Sequence, residues 1–167
     1  MKKRVKLLLA LLVACVTGAF AQFDAGKTYV IVNKTDATKF MQDNGTGGIA
    51  IGAKNDNSYW KFVATGNTDC YYIQNAKTGK YNQGYSVSEQ EVATGDAGVE
   101  YYVKADASGD HAGKFRMSCT ANSPYDFSEG TLGLNWKNNN TVQSFASVAG
   151  GNPLSAWSVT EEAMPEP

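Results

Sequence analysis

The sequence predicts an all-β chain closed into a barrel with pseudo-threefold symmetry. Three observations predict it. A strand–turn–strand phrase recurs along the chain, an aromatic–x–apolar marker follows each copy, and glycine-rich turns separate apolar runs of only three to six residues. No window carries a sustained apolar stripe at helical spacing.

The phrase is clearest in Tyr71-Tyr72-Ile73-Gln74-Asn75-Ala76-Lys77-Thr78-Gly79-Lys80-Tyr81. Tyr71 and Ile73 fall on one face and Tyr72 and Gln74 on the other, which is the period of a strand. Asn75 to Gly79 is turn chemistry, with Gly79 free to take positive φ. Tyr29-Val30-Ile31-Val32-Asn33-Lys34-Thr35 repeats the phrase upstream, and Phe115-Arg116-Met117-Ser118-Cys119 repeats it downstream. Ile31, Ile73 and Met117 are spaced by 42 and 44 residues. The closing markers are Trp60-Lys61-Phe62, Tyr101-Tyr102-Val103 and Trp157-Ser158-Val159, each with two apolar side chains on one face. Between phrase and marker lie weaker apolar pairs: Ile49 with Ile51, Val92, and Leu132 with Leu134. The units therefore run from Gly26 to Val63, Asp69 to Val103 and Lys114 to Val159, with a surface insertion expected between Lys137 and Pro153. A closed barrel leaves no free sheet edge in a chain rich in β-forming residues.

Ahead of the first unit, residues 1–21 read as a secretory signal peptide. Lys2, Lys3, Arg4 and Lys6 form its positive region, Leu7 to Val16 its apolar region, and Ala19-Phe20-Ala21 its cleavage site, with Gln22 first in the mature chain. A rival reading takes Leu12-Val13-Ala14-Cys15 as a lipoprotein signal, which makes Cys15 a lipidated N-terminus. Both readings place the protein outside the cytoplasm, secreted to the periplasm or beyond. Residues 22–160 form the domain, and the acidic, proline-containing segment 161–167 reads as a flexible tail.

The full chain carries 15 basic and 16 acidic residues. Removing the leader leaves 11 against 16, a net charge of −5 over 146 residues. That balance argues against nucleic acid or an anionic membrane surface as partner. The mature domain is not expected to insert into a membrane, and a monomer is expected. Cys70 and Cys119 occupy non-equivalent positions of their strands, so a bridge between them stays open beside two separate buried thiols.

The unit endings Ser58-Tyr59-Trp60, Val99-Glu100-Tyr101 and Ser155-Ala156-Trp157 carry a family resemblance. Together with the phrase from Tyr72 to Tyr81, they resemble the ricin-B-type lectin-like β-trefoil of small secreted bacterial proteins. That family closes each unit with Gln-x-Trp. Here the glutamine is absent from all three units, and Tyr101 stands where a tryptophan is expected. The resemblance covers Gly26 to Thr160. It implies a six-stranded barrel with a three-hairpin cap, with Trp60, Tyr101 and Trp157 as core residues. Tyr29, Tyr71 and Phe115 are expected to pack inward beside them.

The resemblance also implies one shallow sugar pocket per unit. Each would combine a polar group after the first strand, a stacking aromatic, and an amide near the closing motif, because a sugar has polar edges and an apolar face. Carried over by position, the first unit offers Asn33 or Asp36, and Asn57. The second offers Asn75, Tyr85 and Asp96. The third offers Trp136, beside Asn135 and Asn138, while Cys119 takes the place of its asparagine. The acidic group of the family pattern has no clear match. The alternative for the Asn and Asp residues is plain turn formation.

Nothing points to an enzyme or a cofactor. His111 lies in Ser108-Gly109-Asp110-His111-Ala112-Gly113 and reads as a solvated loop residue. No GxSxG element, zinc spacing, complete calcium loop or phosphate cradle is present. Glu89 and Glu91 read as solubilising carboxylates. The expected function is non-catalytic binding of a glycan or polysaccharide. A protease-inhibitor trefoil inserting its third-unit loop, and a surface-anchored assembly lipoprotein, are the alternatives.

Overall fold

The computed structural model describes residues 22–107, 109–121, 127, 131–137, 139–146 and 152–166. The leader with Cys15, Asn138 and residues 147–151 of the third-unit insertion lie outside them. Among the described residues there are twelve strands, four to a unit. The first unit holds β1 (Tyr29–Asn33), β2 (Phe40–Asp43), β3 (Ile49–Gly52) and β4 (Tyr59–Ala64). The second holds β5 (Cys70–Asn75), β6 (Tyr81–Asn82), β7 (Thr94–Gly95) and β8 (Glu100–Ala105). The third holds β9 (Phe115–Ser118), β10 (Leu132–Lys137), β11 (Thr141–Ala146) and β12 (Trp157–Glu161).

The first and last strand of each unit close a six-stranded barrel. Antiparallel pairing runs β1–β4, β4–β5, β5–β8, β8–β9, β9–β12 and back from β12 to β1. The middle strands form the hairpins β2–β3, β6–β7 and β10–β11. These hairpins lean on one another through Thr141↔Ala50, Gly48↔Ala93 and Glu91↔Gln143, and so make a cap. The chain is a β-trefoil. The turn after β5 forms as its composition predicts, with Gly79 at φ 71°.

The recurrent residues build the core in layers. Ile31, Ile73 and Met117 are fully buried, as are Trp60, Tyr101 and Trp157. Each closing aromatic donates a hydrogen bond to the second strand of its own unit or the residue just after it. Trp60 Nε1 reaches the Met41 carbonyl at 2.9 Å, Trp157 Nε1 the Leu134 carbonyl at 2.9 Å, and the Tyr101 hydroxyl the Gln83 carbonyl at 2.6 Å. Tyrosine replaces tryptophan in the second unit because its hydroxyl fills the same donor role. Burying each such ring is worth on the order of 3–5 kcal/mol relative to alanine.

At the other end of the barrel Phe23 acts as a plug. Its ring stacks on Phe62 at 3.9 Å and 12°, and meets Tyr29 and Tyr71 edge-on at 5.2 and 5.3 Å. Phe115 completes the cluster at 5.4 Å.

Two local expectations change. The segment from 161 does not begin a free tail, because its backbone is bonded into the barrel. Glu161 pairs with Tyr29, Glu162 N donates to the Thr28 carbonyl, and Met164 N donates to Thr28 Oγ1. His111 is 8% exposed rather than solvated, because its connection folds back onto the first unit. Cys70 and Cys119 are both free thiols.

Candidate functional site

The outward faces of the three cap hairpins share one arrangement. Alternation turns Met41 and Asp43 inward on β2 and leaves Phe40 and Gln42 half-buried on the other face. Phe40 sits opposite Gly52. In the second unit Tyr81 sits opposite Gly95. In the third the pair is inverted, with Phe145 on β11 opposite Gly133 on β10. A half-buried aromatic facing a glycine across the strands thus recurs three times. The glycine brings no side chain over its partner ring.

Two residues beyond the first member of each pair stands an amide: Gln42, Gln83 or Asn135. Each amide clips the loop that leads to its unit's closing aromatic. Asn55 Nδ2 donates to Gln42 Oε1. Gln83 Nε2 donates to the Ala97 carbonyl at 2.6 Å and the Tyr81 carbonyl at 3.1 Å. Asn135 Oδ1 accepts from Asn152 Nδ2 at 3.2 Å and Ser155 Oγ at 3.0 Å. The amides of the first two units lie close against glycine. A Cβ on Gly52 would collide with Gln42 Nε2, and one on Gly95 would fall 2.9 Å from the Gln83 side chain.

The three copies differ in what they leave for a ligand. Gln42 keeps its NH2 donors and Gln83 keeps Oε1 as an acceptor, each unpaired among the described residues. Asn135 uses Oδ1 twice and donates Nδ2 to the Trp136 carbonyl at 3.1 Å, and it is only 4% exposed. Charge also differs. Lys54 sits 5.6 Å over the Phe40 ring, and Glu162 holds its ammonium at 2.8 Å. The hydrogen bonds from Lys54 and then Tyr59 keep the Glu162 carboxyl below the usual carboxylate range. In the second unit Lys80 and Asp96 pair at 2.6 Å and flank the Tyr81–Gly95 pair in sequence.

The residues expected from sequence fall in two groups. Asn33, Asn75 and Tyr85 are inside. Asn33 donates Nδ2 to the Leu154 carbonyl at 2.9 Å, and its Oδ1 accepts from Thr35 N and Oγ1. Asn75 donates Nδ2 to the Asn57 carbonyl at 2.7 Å, and its Oδ1 accepts from Lys77 N and Thr78 N. With both ends of the amide engaged and exposures of 1% and 0%, these two staple turns and present nothing to a ligand. Tyr85 is buried with its hydroxyl on the Leu132 carbonyl, and its ring meets Tyr101 at 6.0 Å, so it cannot stack on a bound ring.

Asp36, Asn57, Asp96 and Trp136 keep exposed surface. The Thr38 hydroxyl and amide donate to Asp36 and hold its carboxyl below the ordinary value. Asn57 Nδ2 donates to the Asp43 carbonyl and ties the loop before Trp60 to β2. Asp96 is 93% exposed at its side chain. Trp136 packs half-buried against the core next to Asn135.

Phe40, Gln42, Tyr81, Gln83 and Phe145 were not singled out from sequence. The signal that finds them is cross-strand register, which pairs each aromatic with a glycine 12 or 14 residues away. Among the described residues no group of three or more His, Cys, Asp or Glu side chains could hold a metal.

No family model and no curated protein matches the chain. Solved structures do. The ricin B-like lectin of Macrolepiota procera, solved with lactose, superposes with a TM-score of 0.64 at 17% identity, over 86% of this chain and 99% of the lectin. The Rhizoctonia solani agglutinin gives 0.62 at 19% identity, over 81% and 95%. The designed threefold-symmetric protein ThreeFoil gives 0.61 at 14% identity, over 79% and 96%. At these identities the likeness is one of fold.

Proposed function

We propose that the protein is a secreted, non-catalytic glycan-binding module whose sites lie on the cap hairpins of its first two units. The carrying observation is the repeated aromatic–glycine pair beside a clipped amide. A half-buried aromatic ring with no side chain opposite it across the hairpin suits the apolar face of a pyranose, and an amide with free valences suits its hydroxyls. Phe40 and Gln42, with Asn57 at the rim, form the first site. Tyr81 and Gln83, with Asp96 at the rim, form the second. Trp136 and Phe145 mark a third face whose amide is already saturated. The lectins among the similar folds support this reading, since two of the superposed proteins are a ricin B-like lectin and an agglutinin. Shallow single sites bind weakly, and repetition on one rigid barrel converts them into avidity.

The test is a glycan-array and polysaccharide-pulldown screen of residues 22–167 beside Phe40→Ala and Tyr81→Ala variants. Selective binding is expected, weakened about tenfold or more by either substitution because bivalent attachment is lost. Circular dichroism should stay unchanged. A folded protein that binds no glycan, or binding indifferent to both substitutions, sinks the proposal.

A further inference from the structure

The connection between β8 and β9 is polar and short, yet it is firmly built. Gly109 and Gly113 take positive φ of 78° and 73°, and between them Gly109–His111 forms one turn of 3-10 helix. Gly113 N donates to the Asp106 carbonyl, Asp106 N to the Lys114 carbonyl and Lys114 N to the His111 carbonyl, each at 2.8 Å. The fold turns the His111 ring inward onto the first unit. There Lys34 Nζ lies 2.9 Å from His111 Nδ1 and also donates to the Asp110 carbonyl.

The contact specifies the protonation state of the ring. An ammonium has donors and no lone pair, so Nδ1 must accept and the ring proton must sit on Nε2. That nitrogen is buried and finds no acceptor among the described residues. We propose that His111 is an acid-sensitive latch that ties the β8–β9 connection to the turn after β1 and steadies the loop ahead of Trp157.

A proton taken up from solvent at Nδ1 turns the acceptor into a donor. N–H then faces N–H, and two positive charges stand 2.9 Å apart. Lys34 faces the ring from the first unit, Asp106, Asp110 and Lys114 belong to its own connection, and Arg116 belongs to β9. Among the described residues no carboxylate pairs with the ring. The Asp106 carboxylate is held by Arg116 Nε at 2.9 Å, Lys114 Nζ donates to Ser158 Oγ at 2.7 Å, and Asp110 meets Lys34 through its backbone carbonyl. The charged ring reaches water only by leaving its seat. Acidification supplies that proton and so works the latch.

The loop ahead of Trp157 is gripped from both sides of the latch. Lys34 N donates to the Ala156 carbonyl at 2.9 Å, and its neighbour Asn33 holds the Leu154 carbonyl. Arg116, bound to Asp106, donates Nη1 to the Asn152 carbonyl at 2.8 Å. Asn152 in turn bonds Asn135 of the third hairpin. Release of His111 therefore loosens residues 152–156 together with 106–114.

Hydrogen exchange read by mass spectrometry tests this on residues 22–167 between pH 7.5 and 5.0, after correction for intrinsic exchange. Protection of the 106–114 and 152–156 segments should fall about tenfold or more across that range, with β4 and β5 unchanged. His111→Gln, which cannot gain a proton, should abolish the pH step, and Lys34→Met should shrink it. Constant protection in the wild type, or an equal step in His111→Gln, overturns the latch. Loss of protection in 106–114 alone overturns the coupling to the loop. If His111→Gln does not fold, the ring nitrogen shifts of the wild type decide. An unprotonated Nδ1 at pH 7.5 is expected, and a protonated one refutes the proposal. The exchange readout is independent of glycan binding.

Discussion

Asn33 and Asn75 do one job in two units. Each ends the first strand of its unit and pairs across the barrel with a closing tryptophan, Asn33 with Trp157 and Asn75 with Trp60. Each donates to the carbonyl three residues ahead of that tryptophan, Leu154 or Asn57. Both carbonyls belong to single 3-10 turns, Pro153–Ser155 and Asp56–Ser58. In the third unit Cys119 holds the equivalent place, and its thiol instead lies against the Tyr85 backbone. No 3-10 turn precedes Tyr101 among the described residues. Burial raises the Cys119 thiol above its ordinary value, so it stays protonated at neutral pH. Asn75→Ala should cost about 2–4 kcal/mol, since it strands two backbone N–H groups and one carbonyl. Urea denaturation would show it as a lowered midpoint at unchanged slope, and an unshifted midpoint would contradict the staple role. The sequence showed the repeated asparagine and the cysteine that breaks the pattern. Residue type alone did not distinguish a ligand contact from a turn staple, because that difference is one of exposure.

Among the elements, the cap hairpins vary most. β10 and β11 run six residues each, while β6 and β7 run only two. Asn82 sits inward on β6 and is fully buried, and its side-chain atoms have no partner among the described residues. In the other hairpins the inward residues are Met41 and Leu134. An amide in an apolar layer gives a weak hairpin. The loop after β7 compensates by lying close on β5. A Cβ on Gly98 would fall 2.7 Å from Tyr72 Cδ1 and 2.9 Å from Cγ. Gly98→Ala should therefore destabilise the fold by about 1–3 kcal/mol through overpacking against the Tyr72 ring. A thermal melt measures this, and an unchanged melting temperature would show that Tyr72 moves freely. Glycine punctuation was legible in the sequence. The facing of Gly52, Gly95 and Gly133 onto aromatics was not, because register across a hairpin depends on the length of its turn.

At the scale of the molecule, the segments flanking the three units fasten the barrel. Phe23 plugs the aromatic layer, and Glu162 closes the seam between the last strand and the first unit. Its carboxylate meets Lys54 at 2.8 Å and the Tyr59 hydroxyl at 2.9 Å. Those bonds lower its folded-state value relative to the unfolded chain. A lowered carboxyl contributes stability above its unfolded value and loses it as pH falls through the folded one. Glu162→Gln should thus lower the melting temperature at pH 7. The gap to wild type should close as pH drops below the ordinary carboxylate range of about 4.3. Parallel melts from pH 7 to pH 3 would check this, and a gap that persists at pH 3 would place the loss in packing rather than charge.

The sequence by itself determined the all-β class, the threefold repeat, the inward aromatics and the closed pseudo-threefold barrel. These follow from period-two alternation and from a phrase and a marker that recur three times, and both are local properties of the chain. Tertiary structure decided which polar residues face a ligand. It turned Asn33, Asn75 and Tyr85 inward, buried His111 against Lys34, docked Glu162, and set Phe40, Tyr81 and Phe145 opposite glycines. Each of those outcomes depends on a partner distant in sequence. Exposure and hydrogen-bond saturation are properties of the closed barrel, and no stretch of chain carries them alone.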